Sequence, residues 1–112
     1  MKQVNKKCLI EIANEIGWEC DIEKEGKEYY VTISMYTPQN QDVSFDFTIK
    51  TLDMFQDEIY NRWQGYDPDE EAMLWYGRNN GEPESLRDLL DDMEYVESKL
   101  EELYKKCVLT FR

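Results

Sequence analysis

A chain of 112 residues that is 41% hydrophobic and 13% aromatic is the size of one domain, has enough apolar side chains for a core, and is too aromatic to be disordered. Its net charge of −12, from 25 acidic and 13 basic residues, opposes direct binding to nucleic acid or to an anionic membrane and favours basic partners. It has no histidine, and its three cysteines (Cys8, Cys20 and Cys107) are scattered, which excludes histidine-based catalysis and any zinc motif.

The first predicted element is a helix over about residues 3–16. Val4, Cys8, Leu9, Ile12, Ala13 and Ile16 form one apolar stripe, and Gly17 follows where a left-handed cap belongs. Three strands come next. Trp18, Cys20 and Ile22 alternate with Glu19, Asp21 and Glu23, and "KEGK" at 24–27 makes the turn. Tyr29, Val31, Ile33 and Met35 alternate with polar neighbours, and "TPQNQD" at 37–42 is a loop. Val43, Phe45, Phe47 and Ile49 then point inward from the third strand. Short connections between consecutive strands imply an antiparallel meander.

A second helix is predicted over about 52–64, with Thr51 as N-cap, an apolar face of Leu52, Phe55, Ile59 and Trp63, and Gly65 as its stop. Asp67 followed by Pro68 and then Asp69, Glu70 and Glu71 reads as the start of a short third helix over about 68–77. The helix dipole favours acids in a first turn. Residues 77–81 form a turn. The last helix is expected over about 85–107, opened by Ser85 with Asp88 as a variant capping box and closed by Lys105 and Lys106. Leu86, Leu89, Met93, Val96, Leu100, Leu103 and Cys107 recur at alternating steps of three and four, a heptad seam. Such a seam either covers the chain's own sheet and helices or pairs two copies, and its length makes a homodimer through Leu86, Leu89, Met93, Val96, Leu100 and Leu103 a real alternative. "VLTFR" at the end suits a short strand or an extended tail. The expected fold is a single α+β domain over 1–112, in the order αβββααα, with a three-stranded antiparallel sheet packed against helices and a long C-terminal helix.

The charge is unevenly placed. Sixteen acids and four bases fall between Asp53 and Glu102, and the remaining nine of each cancel, so the whole net charge lies in that span. Asp67, Asp69 and Glu71 imitate the first ligands of a calcium loop, but Ala72 stands where that loop needs glycine and Arg78 where it needs glutamate. A helix start explains every one of these residues without a metal. Close carboxylate pairs arise by chance among 25 acids, and no nucleophile or phosphate-loop motif is present, so no enzyme, cofactor or metal site is expected. From Glu84 to Glu102 eight acids span roughly 27 Å of helix, one per about 3.4 Å, close to the phosphate spacing of one strand of B-DNA. Pairs at i, i+4 (Arg87 with Asp91, Glu101 with Lys105, Glu102 with Lys106) would neutralise part of this face. Trp63, Tyr66, Trp75 and Tyr76 cluster near the corner between the second and third helices. Trp63 continues the core stripe there, while Tyr66 and Tyr76 are the better candidates for exposure. The chain opens MKQVNKK, with no apolar signal segment, and no apolar run could span a bilayer. Reduced thiols in a cytoplasmic compartment are expected, with Cys8 and Cys107 as small core residues.

The stretch 55–104 resembles a group of small acidic proteins carried by phages and conjugative elements of Gram-positive gut bacteria. The shared features are an aromatic residue before the acidic run (Tyr66 before "DPDEE"), the turn "WYGRNNG", and the segment "PESLRDLLDDME". The resemblance covers the C-terminal half well and the sheet only in outline. It implies a mobile-element setting, in which small acidic domains include anti-CRISPR and antirestriction inhibitors that imitate DNA. The order of a helix, three strands and acidic helices is similar in outline to one class of inhibitors of CRISPR-associated nucleases. The long last helix and its seam depart from that class, and no residue role is carried over from it. The reading is a non-enzymatic inhibitor whose acidic surface competes with DNA for the basic groove of a host defence nuclease. Its candidate contact residues are Asp67, Asp69, Glu70, Glu71, Tyr76, Arg78, Asn79, Glu84, Asp88, Asp91 and Asp92. The alternative is a homodimeric structural or accessory protein whose acidic face serves only solubility.

Overall fold

The computed structural model describes residues 3–76 and 85–112, and Arg78, Asn79, Glu84 and the expected turn at 77–81 lie outside them. The elements run α1 (Lys6–Ile16), β1 (Glu19–Glu25), β2 (Glu28–Tyr36), β3 (Asp42–Ile49), α2 (Phe55–Gln64), α3 (Pro68–Trp75) and α4 (Leu86–Phe111). A single turn of 3₁₀ helix, Leu52–Met54, leads into α2. This is the expected α+β order with a long C-terminal helix.

α1 starts at Lys6 because Asn5 accepts a hydrogen bond from the Cys8 amide at 2.9 Å. It ends at Gly17, whose φ of 115° is the left-handed conformation that favours glycine. The three strands pair antiparallel in the order β1-β2-β3. Gly26, with φ 64°, and Lys27 form a two-residue turn that sets Glu25 opposite Glu28. From that register, Ile22, Val31 and Phe47 line up across the inner face, and Cys20, Ile33 and Phe45 form the next row. The other face carries Glu19, Asp21, Glu23, Ser44, Asp46 and Thr48 to solvent, so the sheet is covered on one side only.

The helices cover the inner face. α4 packs on α1, α2 and α3, and its 26 residues span roughly 39 Å of a molecule whose longest dimension is 44 Å. Leu89, Met93, Val96, Leu100, Leu103 and Cys107 are fully buried and join Trp18, Phe55, Ile59 and the inner face of the sheet in one core. The seam is therefore covered by its own chain. Only Leu86 stays exposed, and a homodimer through the other five leucine, methionine and valine side chains would require α4 to leave its own core. The Trp18 indole locks the α4 backbone over the sheet by donating to the Lys99 carbonyl at 3.1 Å.

Three local expectations are corrected. Thr51 is extended, but its side chain caps nothing, and the chain enters α2 through the 3₁₀ turn. Gly65 does stop α2 as expected, in an ordinary right-handed conformation. "VLTF" is helical, neither strand nor tail. Val108 and Phe111 are half-buried, Phe111 packs against the core, and the Thr110 hydroxyl donates back to the Lys106 carbonyl at 2.8 Å. Lengthening a formed helix needs no new nucleus, and that outweighs the strand preference of valine, threonine and phenylalanine. Lys105 and Lys106 thus lie inside the helix and not at its end. The three cysteines are free thiols. Burial pushes Cys107 up to about 12, and burial together with Asp21 does the same to Cys20.

Candidate partner-binding surface

The third helix is built as its first residues demand. Asp67 is extended, and its carboxylate accepts from the Asp69 amide at 3.0 Å and the Glu70 amide at 3.5 Å, while Pro68 takes the first helical position. The cap turns Asp69 and Glu70 out to solvent and draws Glu71 partly inward. Burial raises the Glu71 carboxyl above its ordinary range, and the neighbouring charges of Glu70 and Asp67 add to the effect. Tyr66, expected at the surface, is buried instead. Its ring meets Phe45 edge-on with centroids 5.9 Å apart, and its hydroxyl donates to the Met93 sulfur at 3.1 Å. Burial, followed by Glu71, Glu97 and Asp92, raises its phenol. Tyr76 is 52% exposed, as the sequence led one to expect.

Between β3, α2 and α3 lies an open hollow of about 480 Å³, lined by Phe45, Tyr66, Glu58, Arg62, Asp67, Glu70 and Glu71. Four carboxylates thus face one guanidinium. Arg62 is already engaged, donating to the Asp46 carbonyl at 3.2 Å and lying over the Phe47 ring at 5.9 Å. The hollow is acidic with an aromatic wall. Among the described residues, no group of three or more acids and cysteines is arranged to hold a metal ion. Glu58 joins this site through the fold alone. Nothing in "FQDEIYNRW" distinguishes it from any exposed acid one turn before an arginine.

The acids of α4 divide by position. Ser85 caps the helix by accepting from the Asp88 amide at 3.1 Å, which places Asp88 half-buried in the first turn and Asp91 out in solvent. Asp92 is not on the surface. It is 1% exposed, accepts from the Thr37 hydroxyl at 2.5 Å and the Gln39 amide at 3.2 Å, and so ties the β2–β3 loop to the helix. Burial raises its carboxyl, the two hydrogen bonds pull it back down, and Asp88 and Asp91 raise it again. Its inward aim follows from helical geometry: residue 92 stands three after Leu89 and four before Val96, on the seam side. Asp92 is therefore a structural residue and leaves the set of candidate contacts.

Farther along α4 the charges are paired. Glu101 meets Lys105 at 2.6 Å, as expected, but Glu102 meets Lys99 at 3.5 Å and Lys106 reaches across to Glu15 at 3.3 Å. Among the described residues Arg87 does not pair with Asp91. The structure brings Asp69 beside Leu86 and Leu90, where α3 meets the first turns of α4, and keeps Asp67, Glu70 and Glu71 around the hollow. Among the described residues, no helix is long and apolar enough to cross a membrane. No protein-family model matches the chain, and no curated protein or solved structure matches it.

Proposed function

We propose that the protein is a non-enzymatic binding module, encoded by a mobile element, whose acidic surface occupies the basic groove of a host nuclease or other DNA-binding protein and so competes with DNA. The observation that carries this reading is the arrangement of Asp69, Glu70, Asp88 and Asp91. Asp69 and Glu70 stand in the first turn of α3, and Asp88 and Asp91 in the first turns of α4, the helix on which α3 packs; Glu70 lines the acidic hollow, and no cation among the described residues pairs with any of the four. The two helices fix the backbone positions of these acids, so their ordering on binding is confined to side-chain rotamers. Like-signed carboxylates fixed in this way steer a basic surface and speed its encounter. Tyr76, exposed at the C-terminal end of α3, is the candidate aromatic anchor.

The test is capture from host lysate in the presence and absence of competing duplex DNA, repeated at low and high salt. A DNA-binding protein retained at low salt, displaced by duplex and released by salt supports competition. The variant Asp69→Asn/Glu70→Gln/Asp88→Asn/Asp91→Asn should fold and lose that partner. Retention that ignores both duplex and the four neutralisations would overturn the proposal.

A further inference from the structure

On the other side of α2 from the acidic hollow, three aromatic rings meet at the surface. Tyr60 and Trp63 stand edge-on with centroids 5.9 Å apart, and Tyr104 of α4 lies 5.0 Å from Tyr60 and 5.8 Å from Trp63. Tyr60 is 41% exposed, and the other two rings are half-buried. Ile59, Leu100 and Leu103 are fully buried, and Trp63 and Tyr104 pack against the same core, which leaves the Tyr60 ring the most open of the three. The chain's own cations stack elsewhere: Lys24 over Tyr29, Arg62 over Phe47 and Lys99 over Tyr95. Among the described residues none stacks on this cluster. Asp57 precedes Tyr60 by three residues and Glu101 precedes Tyr104 by three, so each acid lies on the same helix face as its tyrosine. Among the described residues, the one ion pair on that side is Glu101 with Lys105.

We propose that the Tyr60–Trp63–Tyr104 cluster is a docking surface for an arginine-bearing segment of a protein partner. The ring faces carry the negative side of the aromatic quadrupole, and the adjacent Asp57 carboxylate, which has no ion pair among the described residues, reinforces it. A guanidinium fits such a site better than an ammonium, because it is planar, weakly hydrated, able to stack on a ring and able to bond a carboxylate at its edge. Nucleic-acid bases also stack on aromatic platforms, but their phosphates would approach a chain of net charge −12. A second copy would bring the same acids face to face. The surface is separate from the acidic hollow, since Glu58, Arg62 and Gly65 leave α2 on its opposite side. Its success or failure is therefore independent of the groove-competition proposal.

The experiment follows the Trp63 indole N–H by NMR, assigned with Trp63→Phe, while the intact protein is titrated with an arginine–glycine repeat peptide. A lysine–glycine repeat of equal charge and a thymidine oligonucleotide serve as comparisons. Salt is held near 1 M, where screening over about 3 Å suppresses general attraction between exposed charges. The arginine peptide should move the Trp63 signal and bind more tightly than the lysine peptide. Tyr60→Leu should weaken it about two- to fivefold, the effect of losing one exposed cation–ring contact, with the melting temperature unchanged. Tyr104→Leu should do the same, and if it unfolds the chain, the more exposed Tyr60 still decides the matter. Equal binding of the two peptides with an unmoved Trp63 signal overturns the proposal. So does a signal that responds to the oligonucleotide instead, or to protein concentration alone.

Discussion

The two halves of α4 share one seam and present opposite surfaces. Along 86–97 the helix carries Asp88, Asp91 and Glu94 without an ion-pair partner among the described residues, and it buries Asp92 against the β2–β3 loop. Along 98–111 the carboxylates of Glu101 and Glu102 are met by Lys105 and Lys99, and an aromatic cluster takes the place of free charge. Under both halves the buried side is the same run of leucine, methionine and valine. Helical periodicity therefore sets what α4 does for stability, and the neighbours of each outward residue set what it offers to a partner.

The strongest way to break this comparison is to attack what the halves share. Leu100 is fully buried at mid-seam, and Leu100→Ala should cost about 2–5 kcal/mol. Chemical denaturation should show the loss, and both halves should melt together. If the aromatic half unfolded while the acidic half kept its structure, the seam would not be one cooperative unit.

Asp91 and Asp92 sharpen the comparison, being neighbours with opposite surroundings. Asp92→Ala leaves the Thr37 hydroxyl and the Gln39 amide without their acceptor and should destabilise by about 1–3 kcal/mol. Asp91→Ala, on an exposed carboxylate, should stay within about 0.5 kcal/mol of zero. The pH dependence has a definite sign. The folded chain holds the Asp92 proton more tightly than the unfolded chain, because its carboxyl is raised above the ordinary 3.8. Through Asp92, stability is greatest below that ordinary value and declines as pH rises to the raised one. Denaturation midpoints across this acid window should decline less steeply in Asp92→Asn. An unchanged slope would show that burial of this charge is not what sets the dependence.

Binding should separate the halves in the same way. Neutralising Asp69, Glu70, Asp88 and Asp91 together should weaken a salt-sensitive basic partner by tenfold or more, since close charge pairs across an interface are worth at least about 1.5 kcal/mol. Glu101→Gln/Glu102→Gln, in the paired half, should change that affinity little. The smallest effect belongs to stability in that paired half. Glu101→Gln removes the 2.6 Å contact to Lys105, largely exposed on the lysine side, and should cost about 0.3–0.5 kcal/mol, less at high salt.

Much of this molecule could be read from the chain itself. Alternation at period two placed the three strands and their inner faces, and the apolar stripes placed α1 and α4. Asp67 and Ser85 before helical runs, and Gly17 after one, marked ends through hydrogen bonds that involve only a few adjacent residues, whereas the Asn5 cap sets α1 to begin three residues later than its apolar stripe suggested. These signals are legible because they are local: a cap or a pleat needs nothing more than its sequence neighbours. Three things required the tertiary structure. Whether the heptad seam meets its own core or a second copy depends on where the sheet and the other helices lie, and here they close over it from Leu89 to Cys107. Whether an acid is a free charge or a buried strut depends on what packs opposite it, so Asp92, identical in kind to Asp91, became a clamp on Thr37 and Gln39. Tyr66 went inside, and Glu58 joined the acidic hollow, because residues distant in sequence met there: Phe45 from β3 and Met93 from α4. Local chemistry chose the elements, and long-range packing decided which of their side chains remain at the surface to do anything.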